Sequence, residues 1–181
     1  QMRWPDVGGK SFCAGADGYV RGECCVVIVL KRLADAVAGR NLILGVVRGT
    51  AINHDGRSGG LTAPNGPAQT AVIRRALEDA GVTPQQVGYV ETHGTGTALG
   101  DPIEVQALLA ALASGRDAAN PLLLGSVKTN LGHLEAPAGL ASLVKGLPVL
   151  HHRQVPPPLA LRKLNPNLQS DGPAAATPNQ R

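Results

Sequence analysis

His93 opens the run H-G-T-G-T (93–97), set between an apolar, strand-like stretch and a helix-like one. Gly94 and Gly96 let the backbone approach a ligand closely or take positive φ values. Thr95 and Thr97 alternate with them, so both hydroxyls can face one cleft as donors and acceptors. An imidazole beside them can donate to a developing negative charge. A second constellation lies in "GSVKTNLGHLEAPAG", where Lys128 stands five positions before His133 and Glu135 follows at once. Lys128 as an ion-pair partner of Glu135 would orient that loop and bias nearby proton equilibria. Either histidine alone would read as an ordinary loop residue; the two clusters together point to chemistry. No metal is expected, because two histidines without a well-spaced third ligand make a poor zinc site.

The elements around them alternate between strand and helix. "CCVVIVLKRL" (24–33) and "NLILGVVRGTAI" (41–52) read as strands rich in β-branched residues. "AQTAVIRRALEDAGV" reads as a helix with Ala68, Ala71, Val72, Ala76 and Ala80 on one face, stopped by Gly81. "VGYVET" and "PLLLGSVKT" are further strands, and "DPIEVQALLAALA" a further helix. Asp101 caps that helix, Pro102 fits its first position and Glu104 closes a capping box, so helix geometry accounts for all three. "APAGLASLVKGLPVLHH" is a third helix, with Pro137 and Pro148 set against its continuity. Such alternation predicts an α/β architecture with parallel strand pairs covered by helices. Functional groups then gather at the carboxyl ends of the strands. His93 and His133 both stand there, so residues far apart in sequence are expected to share one crevice.

Composition narrows the function further. At 181 residues and 43% hydrophobic content the chain suits one globular domain. Aromatic content is 2%, limited to Trp4, Phe12, Tyr19 and Tyr89, which argues against a nucleic-acid binder that stacks bases. The net charge of +4 comes from scattered basic residues. It reads as a solvated surface, with attraction of an acidic protein partner as the sharper alternative. No apolar run is long enough to span a membrane, and no signal-peptide pattern stands at the N-terminus. Cys13, Cys24 and Cys25 form neither a disulfide framework nor a metal spacing, which suits a reducing cytoplasmic setting. Residues 1–9 read as irregular lead-in, 10–168 as the domain, and 169–181 as a disordered tail.

Four stretches carry a family resemblance: "DGYVRGE", "DGRSGGLTAPNGPAQ", "VETHGTGTALGDPIEVQAL" and "LLLGSVKTNLGHLEAPAG". In this order, from about Lys10 to Leu168, they resemble the ketosynthase (β-ketoacyl synthase) domain of modular type I polyketide synthases. The resemblance implies a thiolase-like layered fold, helices packed on mixed sheet, present here incompletely. It implies decarboxylative Claisen condensation: a cysteine thiolate accepts an acyl chain, and the enolate of a decarboxylated malonyl-type extender attacks it. By motif position His93 and His133 would stabilise charge on the thioester oxygen, with Lys128 and Glu135 in support. Thr95 and Thr97 would contact the phosphopantetheine arm. No cofactor is expected in the domain itself; substrates would arrive on acyl carrier protein, among other polyketide synthase domains.

The resemblance also sets limits. The family's nucleophilic cysteine lies upstream of "DGYVRGE", in a portion this chain does not contain. None of Cys13, Cys24 and Cys25 has the sharp strand-to-helix setting that activates such a thiol. Cys24 and Cys25 enter an apolar run, so at least one is expected in the core. The chain is therefore expected to form no acyl-enzyme alone, and so to be inactive in the condensation. Family members dimerise through strands of the absent half, so dimerisation does not carry over. Two rival readings are a non-catalytic remnant that docks a carrier protein, and a condensing enzyme of fatty-acid synthesis.

Overall fold

The computed structural model describes residues 9–60, 63–117, 119–159, 161, 163–168 and 175–176. Its helices are α1 (Leu33–Ala38), α2 (Gly66–Ala80), α3 (Gly100–Leu112), α4 (Lys128–Leu131) and α5 (Ala138–His152). The strands β1 (Tyr89–Glu91), β2 (Leu122–Gly125) and β3 (Ala175–Ala176) form one parallel sheet in that order. Register pairs Tyr89 with Leu123 and Glu91 with Gly125. β3 falls within the segment read as a tail; its neighbours on both sides, like residues 1–8, lie outside the described residues.

The connection from β1 to β2 runs through α3, whose Val105, Leu108 and Leu112 pack on Leu122 and Leu124 of β2 and on Phe12. This arrangement follows from the sequence: α3 is apolar on most of its surface and must be covered on several sides. α2 covers one of them. Asn65 caps it by accepting from the Ala68 N–H at 3.1 Å, and Gly81 ends it. Its packed face is Ile73 and Leu77, not the expected alanine face, since Ala71 is exposed. Thr70 and Arg74 donate to the Ala107 and Ala110 carbonyls of α3, at 3.3 and 2.9 Å, and fix the pair. A second cluster, Val127, Leu134, Ala138 and Ala141, seats the start of α5. α5 runs unbroken through Pro148. The missing N–H there leaves the Val144 carbonyl without its helical donor.

Leu122 is completely buried at the centre of the main cluster. Leu122→Ala is therefore expected to lower the unfolding free energy by about 2–5 kcal/mol. Leu159, exposed on the surface, should tolerate the same change within about 0.5 kcal/mol. Urea unfolding midpoints of the two variants check the contrast.

Two expected strands do not form. Residues 24–32 and 41–52 have no regular secondary structure, and Val27 and Val29 are 82% and 92% exposed. β-branched composition favours a strand only where a neighbour completes the ladder. Among the described residues no segment pairs with either stretch. Residues 48–53 instead run along α2: Thr50 N–H donates to Asp79 at 2.8 Å, and Asn53 donates to the Ala68 carbonyl at 2.7 Å.

Candidate active site

β1 ends at Glu91, and the chain passes through Thr92 to His93. β2 ends at Gly125, and Ser126 leads into the short helix α4 and on to His133. The two strands are adjacent and parallel, so both histidines emerge at the same sheet edge. Thr92 locks the strand ends together: its N–H and its hydroxyl both donate to the Gly125 carbonyl at 2.8 Å. The imidazole centroids of His93 and His133 are 5.3 Å apart, with ring planes at 87°. Both line a cleft of about 920 Å³, with Thr95, Thr97, Glu104, Glu135 and Tyr19 also on its walls.

The loop after His93 is held from beneath. Gly94 has φ +44°, and a Cβ there would lie 2.6 Å from the Thr92 hydroxyl and 2.9 Å from the Ser126 side chain. Only glycine fits that turn. Its carbonyl accepts from the hydroxyls of Ser11 and Ser126. Its N–H, at 2.8 Å, and that of His93, at 2.6 Å, donate to the two carboxylate oxygens of Glu104. Asp101 accepts from the Gly96 N–H at 3.1 Å and the Phe12 N–H at 2.8 Å.

These contacts correct the capping expectation. α3 begins at Gly100, and neither Asp101 nor Glu104 caps it; the Thr97 hydroxyl meets its first N–H instead. Asp101 and Glu104 spend their oxygens on the loop instead, because its N–H groups turn inward and lack ladder partners. Burial raises both carboxyl pKa values. The signal available in the sequence is the alternation of glycines with polar residues ahead of an i, i+3 carboxylate pair. Tyr19 is a further cleft residue, and no spacing in the sequence marks it. Its ring lies 5.2 Å from that of His133.

Lys128 is buried, and the charges that act on it are those of Glu104, Glu91 and Asp101 rather than Glu135. Desolvation lowers its pKa, against the opposing pull of those carboxylates. Glu135 pairs with Arg21 at 2.8 Å, so the expected Lys128–Glu135 ion pair does not form. Glu135 is nonetheless placed to act through its backbone: its N–H donates to His133 Nδ1 at 2.9 Å. A ring nitrogen that accepts carries no proton. The neutral His133 ring therefore keeps its proton on Nε2, free to donate.

Both imidazoles are held neutral. Desolvation, then the charges of Lys128 and His133, lower the His93 pKa to about 4. Desolvation and Lys128 lower that of His133 as well, with Glu135 opposing and Arg21 adding to the effect. His93 stays open to solvent along the cleft, which screens part of this. Between pH 6.5 and about 4 the unfolded chain binds a proton at His93 that the folded chain does not. Stability from this ring is thus complete above pH 6.5 and is lost as pH falls toward 4. Asp101 and Glu104, with raised pKa values, act in the opposite sense. The advantage of wild type over His93→Gln should therefore shrink steadily from pH 7 to pH 4 in urea unfolding, while a constant difference would contradict the assignment.

Of the two threonines, Thr97 is partly committed: its hydroxyl accepts from the Gly100 N–H at 3.0 Å. Thr95 lines the cleft, and its hydroxyl has no hydrogen-bond partner among the described residues. No cysteine lines the cleft. Cys13 is buried, and Cys24 and Cys25 are both exposed, which corrects the expectation that one enters the core. Among the described residues their run has no sheet to enter. Among the described residues no group of three His, Cys, Asp or Glu side chains converges as a metal site, and no helix is long and apolar enough to cross a membrane.

Residues 44–162 match the model of the β-ketoacyl synthase C-terminal domain, and residues 5–36 that of the N-terminal domain. The chain is 53% identical over 159 residues to one phenolphthiocerol/phthiocerol polyketide synthase protein of Mycobacterium tuberculosis, covering 88% of this chain and 8% of that protein. It is 52% identical over 172 residues to a second protein of the same synthase and organism, covering 94% and 9%. Among solved structures, the ketosynthase from module 6 of the bacillaene synthase of Bacillus subtilis 168 superposes with a TM-score of 0.89 at 39% identity, covering 96% of this chain and 31% of that one. An oxazolomycin ketosynthase domain from Streptomyces albus JA3453 gives 0.85 at 38% identity, covering 97% and 30%. The fold is thus that of the thiolase-like ketosynthase domains, present over about a third of their length. With matches of this extent laid over the paired imidazoles, the chain belongs to the β-ketoacyl synthase family.

Proposed function

We propose that this chain is the histidine-bearing portion of a polyketide synthase ketosynthase, in which His93 and His133 together hold the thioester oxygen of a malonyl-type extender as it decarboxylates. The observation that carries this is the 5.3 Å separation of two neutral imidazoles at the ends of adjacent parallel strands. One oxygen placed between them can accept from both rings. As the bond to the extender's carboxylate breaks, carbon dioxide leaves and the electron pair passes into an enolate. The charge then sits on the oxygen that the two N–H groups face, where preorganised donors act most strongly. The enolate carbon attacks the acyl thioester carbonyl, forms the carbon–carbon bond and expels the cysteine thiolate.

Each supporting residue has a part in this. The Lys128 charge disfavours imidazolium in both rings, so they act as hydrogen-bond donors throughout. Glu135, braced by Arg21, fixes the His133 tautomer. Thr95 is the better placed of the two threonines to contact a phosphopantetheine arm, because its hydroxyl is uncommitted. The extender arrives on acyl carrier protein, other polyketide synthase domains surround the site, and no resident cofactor takes part. Thiols at Cys13, Cys24 and Cys25, none in a disulfide, fit a cytoplasmic setting. The relatives' printed names favour polyketide over fatty-acid synthesis. The acyl-accepting thiol is supplied from outside these residues, since no cysteine lines the cleft.

The test has two arms. Incubated with malonyl-pantetheine labelled in its free carboxyl, the chain should release labelled carbon dioxide faster than buffer does. Incubated with a radiolabelled acyl thioester, it should acquire no stable label on any of its three cysteines. Acylation of one of them above the rate of a free thiol would overturn the division of roles. Absence of decarboxylation would overturn the reading itself and favour a carrier-binding remnant.

A further inference from the structure

Behind the imidazoles lies a charged node that the chemistry above does not use. Glu91, the last residue of β1, keeps 9% of its side chain exposed, and Lys145 on α5 keeps 15%. They pair at 2.9 Å through Glu91 Oε2. The same oxygen accepts from the Tyr89 hydroxyl, and Oε1 accepts from the Val127 N–H. Tyr89 reaches it by lying across Gly125, where a Cβ would overlap the phenol oxygen. One carboxylate thus joins β1, the end of β2, the turn before α4 and the middle of α5.

Val127 immediately precedes Lys128, and His93 lies two residues beyond Glu91. We propose that Glu91 is a positioning residue for the reaction: its carboxylate holds the turn that carries Lys128, and its charge, balanced by Lys145, sets the charge state of Lys128 beside the two imidazoles. The groups whose charge interacts with that of Lys128 are Glu104 and Asp101 from α3, Glu91 from β1, and His93 and His133 from the two loops. Of the three carboxylates, Glu104 and Asp101 are tied to loop N–H groups. Among the described residues Glu91 alone of the three carries a basic partner of its own, so it is the one whose influence another residue adjusts. Burial and the neighbouring carboxylate raise the Tyr89 pKa far above its usual value, so the phenol remains a donor to Glu91. This inference rests on Lys128 belonging to the proposed site.

The test is the titration of Lys128 in the full chain, followed by NMR of 13Cε-labelled lysine and assigned by loss of the signal in Lys128→Arg. Glu91→Gln keeps one acceptor oxygen, for the Val127 N–H, and turns its amide nitrogen to the Tyr89 hydroxyl, which can accept in turn; it removes the charge, and should lower the Lys128 midpoint by about one pH unit. Lys145→Met leaves Glu91 unbalanced and should raise it. The double variant removes both charges together and should titrate below Lys145→Met; this comparison decides the matter if Glu91→Gln alone does not fold. A purely structural ion pair would cost stability in the single variants yet leave the Lys128 midpoint unmoved, and that result would overturn the proposal. The readout is a titration rather than turnover, so it stands or falls apart from the decarboxylation assay.

Discussion

His133→Ala is expected to slow malonyl-pantetheine decarboxylation about 10²–10³-fold, with the loss falling on kcat rather than KM. The Glu135 N–H on Nδ1 leaves Nε2 as the donating atom of the ring. That bond strengthens as charge moves onto the thioester oxygen, so the ground state loses little when it is removed. His93→Ala should behave alike, because its ring lies 5.3 Å from that of His133 and is proposed to face the same oxygen. His133→Asn, whose amide can still donate, should recover part of the rate. Thr95→Ala should raise KM instead, since its hydroxyl is read as holding the arm and not the reacting carbonyl. Steady-state release of labelled carbon dioxide separates the two patterns.

Glu104→Ala is expected to cost about 3–5 kcal/mol in urea unfolding, the range for breaking a buried charged network at one partner. Three losses coincide. The N–H groups of His93 and Gly94 lose both of their acceptors, and each orphaned donor costs about 1–3 kcal/mol. Lys128 loses the carboxylate that most raises its pKa, and its burial then goes less opposed. Set against these, removal of Glu104 relieves the burial of its own charge, which is why its pKa is raised. Glu104→Gln keeps one acceptor oxygen and should cost distinctly less. A smaller effect for alanine than for glutamine would contradict the geometry.

The site is more legible in the sequence than the fold around it. His93 and His133 can be placed because each follows a short apolar strand, and parallel neighbours present their carboxyl ends together. Thr95 and Thr97 can be placed by alternation with glycine, although only the structure separates the free hydroxyl from the one that closes a turn. Asp101 and Glu104 mislead for a physical reason: the residue types that cap a helix are the types that bind any row of loop N–H groups. Sequence spacing does not say which donors they face. Lys128 draws the wrong partner for the same reason, since Glu135 is nearest in sequence while Glu104 and Glu91 are nearest in charge.

Glu91 and Lys145 leave no trace, being 54 residues apart by subtraction of their numbers and joined only by packing of α5 on β1. The two apolar runs at 24–33 and 41–52 show the converse limit. Their composition states a preference for strand, but a strand also needs a neighbour, and hydrophobicity does not reveal whether one is within reach.

Titration of the 15N-labelled imidazoles with a non-hydrolysable malonyl-pantetheine analogue tests the shared oxygen most directly. The Nε2 signals of His93 and His133 should both move, with one common midpoint, and replacing either ring should weaken the response of the other. Movement of a single ring, or two midpoints at different concentrations, would mean that the imidazoles do not share a ligand atom.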